Sequence, residues 1–444
     1  MATGERRTPG HASVAERWLA RLSLAAVAAA VLVMLGVAGA KSLVLVAAAV
    51  GALILIAAGG WWALTHRGVL RWLAVALVVL VPAVLLSLYV LAQLTWLVLL
   101  TLGLCAVAVV AGRAALSRDV TPKRMPEYEA TPPKRPFLIM NPRSGGGKVA
   151  KFGLVDKAKA LGADVALLEG PRTVDVAELA RKAVADGADL LGVAGGDGTQ
   201  ALVAGVAAEH DLPLLVISAG TRNHFALDLG LDREDPSRCL DALTDGVELH
   251  VDLGLISGRP FVNNASFGAY ATVVQSPAYR ADKAHTTLDM LPDLIAGHRG
   301  PRLQARTADT SIQGPQAVLV SNNTYGMGDV AGLGRRARLD GGVLGVVAIK
   351  VGSAMQAAGL LRGRHAQGLT ILSASEVLID ADQPDIPVGV DGEALSLPTP
   401  VHCTIRRDAL RIRVPRHRPG VPPPKPQMDW RRLRKMALTV AWGR

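Results

Sequence analysis

Three cysteines in 444 residues, Cys105, Cys239 and Cys403, are too few and too far apart for a disulfide framework or a four-thiolate metal site. Their scarcity fits a reducing, cytosol-facing compartment. Charge is scarce too: 19% of residues are Asp, Glu, Lys or Arg against 50% apolar, which excludes a disordered chain. Acidic residues are missing altogether from Trp18 to Gly112, so no proton or ion pathway is indicated there. No internal repeat is visible. The length exceeds what one hydrophobic core supports and predicts several domains.

What is present is crowded at the front. Four apolar runs, Trp18–Ala40, Leu43–Leu64, Val69–Leu91 and Leu94–Gly112, approach or exceed the ~20 residues a helix needs to cross a bilayer. The first is too long for a signal-peptide core, and none carries the polar face of a soluble bundle helix. Four spans are expected. Arg6, Arg7 and Arg17, then Arg67 and Arg71, then Arg113, Arg118, Lys123 and Arg124 fall on one side, against Lys41 and Gln93 on the other. Both termini are therefore expected in the cytoplasm of a multi-pass protein of the cell membrane. Trp18, Trp61, Trp62, Trp72 and Trp96 lie near span ends, where an amphipathic ring suits the headgroup level. Pro82 is expected to kink the third span.

The net charge of +11 points to an anionic partner. Most of it sits in Pro415–Arg444, where eight Lys/Arg face one acid, Asp429. Trp430, Leu433, Met436, Ala437 and Val440 recur there at helical spacing, which suits a helix lying on an anionic membrane surface rather than a nucleic-acid site.

From Phe137 the texture changes. Short apolar runs at Phe137–Met140, Ala163–Leu168, Leu190–Ala194 and Pro213–Ile217 alternate with helical patterns, one of them Val174–Ala185, and predict a parallel α/β sheet. Three Gly-rich segments follow these strands: Asn141-Pro142-Arg143-Ser144-Gly145, Gly195-Gly196-Asp197-Gly198-Thr199, and Gly220-Thr221-Arg222-Asn223. They should lie together at the carboxyl edge, where backbone N–H groups and helix N-termini favour phosphate, and Arg143 or Lys148 could add charge. The first is no Walker A loop: Pro142 stands six residues before Lys148, and Val149 replaces Ser/Thr. Asp197 among the glycines can face phosphate only through Mg²⁺ or a hydroxyl, which argues for a metal–nucleotide site. Past Leu249 β-like runs dominate and predict a β-sandwich, beginning with a hairpin around Ser257-Gly258-Arg259.

These motifs, with a late Asp391-Gly392-Glu393, resemble the diacylglycerol kinase catalytic domain family over roughly Pro136–Val414. The resemblance implies a nucleotide-binding α/β domain over a β-sandwich, ATP and Mg²⁺, and transfer of the γ-phosphate to a lipid hydroxyl. It implies that Asn141–Gly145 and Gly195–Thr199 hold the ATP phosphates, with Thr221 and Asn223 nearby. Glu393 would be the base and Asp197 a catalytic carboxylate, with Asp391 and Asp340 as candidate metal ligands. Two positions depart from the family: His224 follows Asn223 where Asp is usual, and Gly341 follows Asp340 where a second Asp is common. The expected organisation is a membrane region (1–118), a linker (119–135), the ATP-binding domain (136–248), the sandwich (249–414) and a basic tail (415–444). An inactive lipid-binding relative and a kinase of the NAD kinase type, with a soluble substrate, are the competing readings.

Overall fold

The computed structural model describes residues 13–36, 39–66, 68–91, 95–117, 125–169, 175–268, 271, 300–325, 335–336, 338–350, 368–421 and 428–438. They form two compact units. One comprises the described residues up to 117 together with 428–438; the other comprises 125–421.

In the first unit, helices cover all four apolar runs: α1 (Val14–Gly36), α2 (Gly39–Thr65), α3 (Val69–Leu91) and α4 (Thr95–Ser117). Among the described residues, Val69–Leu88 and Thr95–Leu116 are long and apolar enough to cross a membrane; Ala47–Ala63 is a shorter apolar helix. Pro82 lies inside α3. Ser13 caps α1, its hydroxyl accepting from the Glu16 N–H while the Glu16 carboxylate accepts from the Ser13 N–H at 2.7 Å. The unit also holds the tail helix α10 (Trp430–Leu438), capped by Asp429. Leu433 and Met436 are buried against Ala20, Ala115 and Leu116, and Arg21 Nε donates to the Ala437 carbonyl at 3.0 Å. Leu433, Met436 and Ala437 of the apolar stripe read from the sequence are thus seated on α1 and α4, whereas Trp430 is exposed, as are Arg431, Arg432, Arg434 and Lys435. Lys425, Val440, Trp442 and Arg444 lie outside the described residues.

In the second unit, β2 (Pro136–Met140), β3 (Asp164–Leu167), β4 (Leu190–Ala194) and β5 (Leu214–Ile217) pair in parallel, in the order β3-β2-β4-β5. Strands β4 and β5 are apolar and buried throughout, as strands covered on both faces must be. The connecting helices include α5 (Lys148–Lys151) and α6 (Leu154–Ala160), separated at Gly153. They also include α7 (Val176–Ala185), whose cap Asp175 accepts from Ala177 and Glu178, and the nearly buried α8 (Asp197–Glu209). The short α9 (His224–Asp228) follows β5.

The sheet then continues through antiparallel strands. The long strand Val401–Pro415 pairs in parallel with β5 and antiparallel with Gly246–Ile256, joining the nucleotide-side strands to the β-rich part. The sequence pattern shows two β-like runs here, His402–Arg406 and Arg411–Val414; an irregularity between Arg406 and Leu410 divides them. A second, six-stranded antiparallel sheet contains Asn264–Gly268, Asp385–Val390 and Glu393–Pro398. Ile256, Phe261, Val377 and Cys403 from one sheet share a buried core with Phe267, Val320, Val346 and Val388 from the other. The expected hairpin is present: Gly246–Ile256 and Arg259–Phe261 pair across Ser257 and Gly258, whose positive φ values of 44° and 83° suit a two-residue turn. Within the expected linker, the short β1 (Tyr128–Glu129) pairs with Glu248 and Val247; residues 119–124 lie outside the described set.

Candidate active site

The three Gly-rich segments meet at the carboxyl edge of β2, β4 and β5. Asn141 starts the first: its N–H donates to the Ala194 carbonyl at 2.8 Å, and its side chain accepts from Arg143 N–H at 3.0 Å. Gly145, at φ 55°, presses on the third segment so closely that a Cβ there would lie 2.9 Å from the Gly220 carbonyl oxygen. A Cβ on Gly220 would in turn lie 2.8 Å from the Gly195 oxygen. Only glycine permits three loops to pack this tightly.

Asn223 is buried at φ 51° and spends its whole side chain inside its own loop. It accepts from Gly220 N–H at 2.8 Å and donates to the Ser218 and Gly220 carbonyls, each at 2.7 Å. It shapes the third Gly-rich loop and has no side-chain donor left for a ligand. Thr221 is exposed at the same turn, and Pro142, Arg143 and Ser144 line the first loop. Lys148 is diverted: its ammonium donates to the Arg233 carbonyl at 2.7 Å.

Asp197 opens α8, 9% exposed, with its carboxylate facing the N–H groups of His224 and Phe225, each at a long 3.4 Å. Those contacts leave its lone pairs mostly unspent. Burial lowers the His224 imidazole pKa, against the pull of Asp197 and Asp228. The neighbouring residue in α8, Gly198, lies directly beneath Glu393: a Cβ on it would sit 2.7 Å from the Glu393 carboxyl carbon. Two residues of great sequence separation are therefore brought together at the helix N-terminus. Glu393 is exposed and forms an ion pair with Arg259, Nη2 to Oε2 at 3.3 Å.

Asp391, expected among the metal ligands, holds the turn that aims Glu393. Its Oδ2 accepts from Val262 N–H at 2.8 Å; its Oδ1 accepts from Asn263 and Asn264 N–H at 2.8 and 3.0 Å. Burial pushes its carboxyl up to about 7 despite those donors. Three of its roughly four acceptor positions are thus taken by backbone donors. Behind this loop the fully buried Arg336 pairs with Asp228 at 2.6 Å and donates to the carbonyls of Val262 and Asn322 and to the Asn263 side chain. Burial raises the Asp228 carboxyl, while Arg336 opposes that shift.

Asp340, the other candidate ligand, is also engaged: Arg338 binds both of its oxygens, Nε at 2.7 Å. Beside it Asn323 accepts from Gly341 N–H at 2.7 Å and donates to Asp252 at 3.0 Å, while Asp252 accepts from Gly342 N–H. A Cβ on Gly341 would meet Asn323 Oδ1 at 2.6 Å, so an amide network occupies the place of the family's second carboxylate. Among the described residues, no cluster of three or more His, Cys, Asp or Glu is poised to hold a metal alone. Asp197 beside a phosphate cradle does fit Mg²⁺, which commonly takes one or two carboxylates with substrate phosphates and water. Arg259, Asp228 and Arg336 were not singled out from the sequence; no local motif marks them.

The sequence profile of the diacylglycerol kinase catalytic domain matches residues 135–256. A diacylglycerol kinase of Mycobacterium tuberculosis is 26% identical over 301 residues, 63% of this chain and 94% of that protein. One from Bacillus subtilis is 26% identical over 276 residues, 59% of this chain and 90% of that protein. A crystal structure of a Bacillus anthracis protein assigned to the same activity superposes with a TM-score of 0.50 at 19% identity, over 64% of this chain and 98% of that one; this likeness concerns the fold alone. Residues 135–256 thus match the diacylglycerol kinase catalytic domain family, and that match together with these relatives marks the chain as a lipid kinase.

Proposed function

We propose that the protein transfers the γ-phosphate of ATP to the hydroxyl of a membrane lipid, a diacylglycerol or a related lipid alcohol, at the cytoplasmic face of the cell membrane. The observation that carries this reading is the seating of the Glu393 carboxylate on Gly198, at the mouth of the phosphate loops. A primary alcohol is a poor nucleophile near neutral pH, and Glu393 accepts its proton as the oxygen attacks phosphorus. The loops Asn141–Gly145 and Gly195–Thr199 align the polyphosphate, and the N-terminus of α8 faces the charge that develops during transfer. Asp197 would hold Mg²⁺, which when bound neutralises phosphate charge. Asp391 fixes the rotamer and reach of Glu393 through the turn it locks.

Four membrane spans remain part of this reading. Only 6% of the apolar window of α3 is buried, whereas a core helix of a soluble protein is mostly buried. Exposed Leu70, Leu73, Leu80 and Leu99 suit contact with lipid. The exposed basic side of α10 suits an anionic leaflet.

Glu393→Gln tests the assignment. It keeps the side-chain shape and removes the base, so turnover with labelled ATP and a panel of lipid alcohols should fall ~10²–10⁴-fold, with ATP affinity not weakened. Full turnover by the variant would overturn the role given to Glu393.

A further inference from the structure

We propose that Arg259 masks the Glu393 carboxylate in the nucleotide-free enzyme and transfers to the γ-phosphate when ATP arrives, so that ATP itself frees the base. This deepens the kinase reading above and rests on it.

The stem of Arg259 is fixed. It opens the second strand of the hairpin, after Ser257 and Gly258. The next residue, Pro260, packs on α8 so closely that a Cβ on Gly205 would lie 2.7 Å from its ring. Phe261 is fully buried, and its ring fills the space where a Gly254 side chain would stand. The head of the side chain is different. Arg259 is 36% exposed and touches Glu393 through one nitrogen at 3.3 Å. A rigid base with an adjustable guanidinium suits a residue that exchanges partners.

Placement supplies the second partner. Glu393 lies on Gly198, which belongs to the phosphate loop and to the first turn of α8. A guanidinium that reaches Glu393 therefore stands beside any terminal phosphate bound there. A single, half-exposed contact to a carboxylate is a weak ion pair. A terminal phosphate offers more charge and a geometry that the planar fork meets with two N–H bonds. The exchange favours phosphate, and it leaves the Glu393 oxygens open to the lipid hydroxyl, whose proton they accept. When the lipid hydroxyl then attacks, its proton moves to Glu393, the new bond forms to the γ-phosphorus, and the bond to the bridging oxygen breaks to release ADP. Arg259 stays with the transferred group throughout.

The test is equilibrium binding of Mg-ATP and Mg-ADP to the detergent-solubilised full chain, without lipid substrate. Arg259→Gln should weaken ATP about 10-fold and ADP by less than about 3-fold, because only ATP carries the contacted phosphate. Arg259→Lys, which keeps the charge and loses the fork, should fall between. Glu393→Gln should tighten ATP ~3–10-fold by releasing Arg259, and that gain should vanish in the Arg259→Gln, Glu393→Gln double variant. Equal weakening of ATP and ADP by Arg259→Gln would overturn the proposal. So would a Glu393→Gln gain that persists in the double variant, since it would then come from lost carboxylate–phosphate repulsion. If the wild-type chain bound neither nucleotide, the kinase reading of these loops would fall first, and the masking role with it.

Discussion

Replacing Gly198 by Ala should separate stability from activity. Gly198 is the second residue of α8 and its φ is not in the left-handed region, so alanine can adopt the backbone. In a helix that exchange contributes about 0.5–1 kcal/mol of stability, a rise of ~1–3 °C in Tm for a unit of this size. The new methyl, however, would stand 2.7 Å from Cδ and 2.9 Å from Cγ of Glu393, where ordinary contacts are 3.4–4 Å. Glu393 ends in an exposed, flexible carboxylate, so it yields by about 1 Å while the helix stays. A displacement of that size at a reacting group costs about 10²-fold in rate. Lipid phosphorylation with labelled ATP should therefore drop about a hundredfold in a protein that melts no lower than wild type. Gly205→Ala, two turns along the same helix, provides the contrast: its methyl meets the anchored Pro260 ring at 2.7 Å, and it should cost ~1–3 kcal/mol. Wild-type turnover by Gly198→Ala would refute the placement of Glu393 as base, and a lower Tm would refute the claim that only the carboxylate moves.

The remaining expectations concern the supports of the site. Asp228→Asn leaves the Arg336 charge buried without its partner and should cost ~3–5 kcal/mol in chemical denaturation, part of it recovered by adding Arg336→Met; an equally stable single variant would mean the pair is not desolvated. For Asp391, a folded carboxyl near 7 against ~3.9 in the unfolded chain means that the folded state keeps a proton the unfolded state has lost. Its contribution to stability should thus decline as pH rises from ~4 to ~7, while activity rises as the carboxylate regains all three N–H bonds; Asp391→Asn should flatten both profiles. Gly341→Asp should destabilise by ~1–3 kcal/mol with or without Mg²⁺, because Asn323 already fills the space; a Mg²⁺-dependent rise in Tm would show that a metal can still enter.

Local pattern made much of the frame legible. Continuous apolar runs marked the four helices and the buried strands β4 and β5, and the glycines after β2, β4 and β5 marked the loops that converge at the carboxyl edge. What stayed hidden depends on partners far along the chain. The strand Val401–Pro415 looks like two ordinary β-runs until its pairing with Leu214 is known. Asp391-Gly392-Glu393 reads as two equivalent carboxylates, yet one faces three backbone donors and the other faces Gly198, a distinction that spacing cannot express. Asp340 kept its carboxylate, but the nearby Arg338 engages it. The helical spacing of Leu433 and Met436 was visible in the tail, whereas the small residues Ala20 and Ala115 that seat them were ordinary members of apolar runs.

The seat of α10 has a topological consequence. The chain leaves the helical unit after α4 and rejoins it at α10, so the catalytic unit is an insertion rather than an appendage. A domain hung from one connection is set free by a single cut; a domain inserted between two is not. Closing so long a loop adds little entropic cost beyond that of a much shorter one, since the cost grows only with the logarithm of length. The order of synthesis matters as well. Helix α10 is translated after the catalytic unit, and until it docks, Ala20, Ala115 and Leu116 lack the side chains that cover them. Completion of the helical unit therefore waits on passage through the kinase, and a chain interrupted in between leaves an uncovered apolar seat by which it can be told from a finished one.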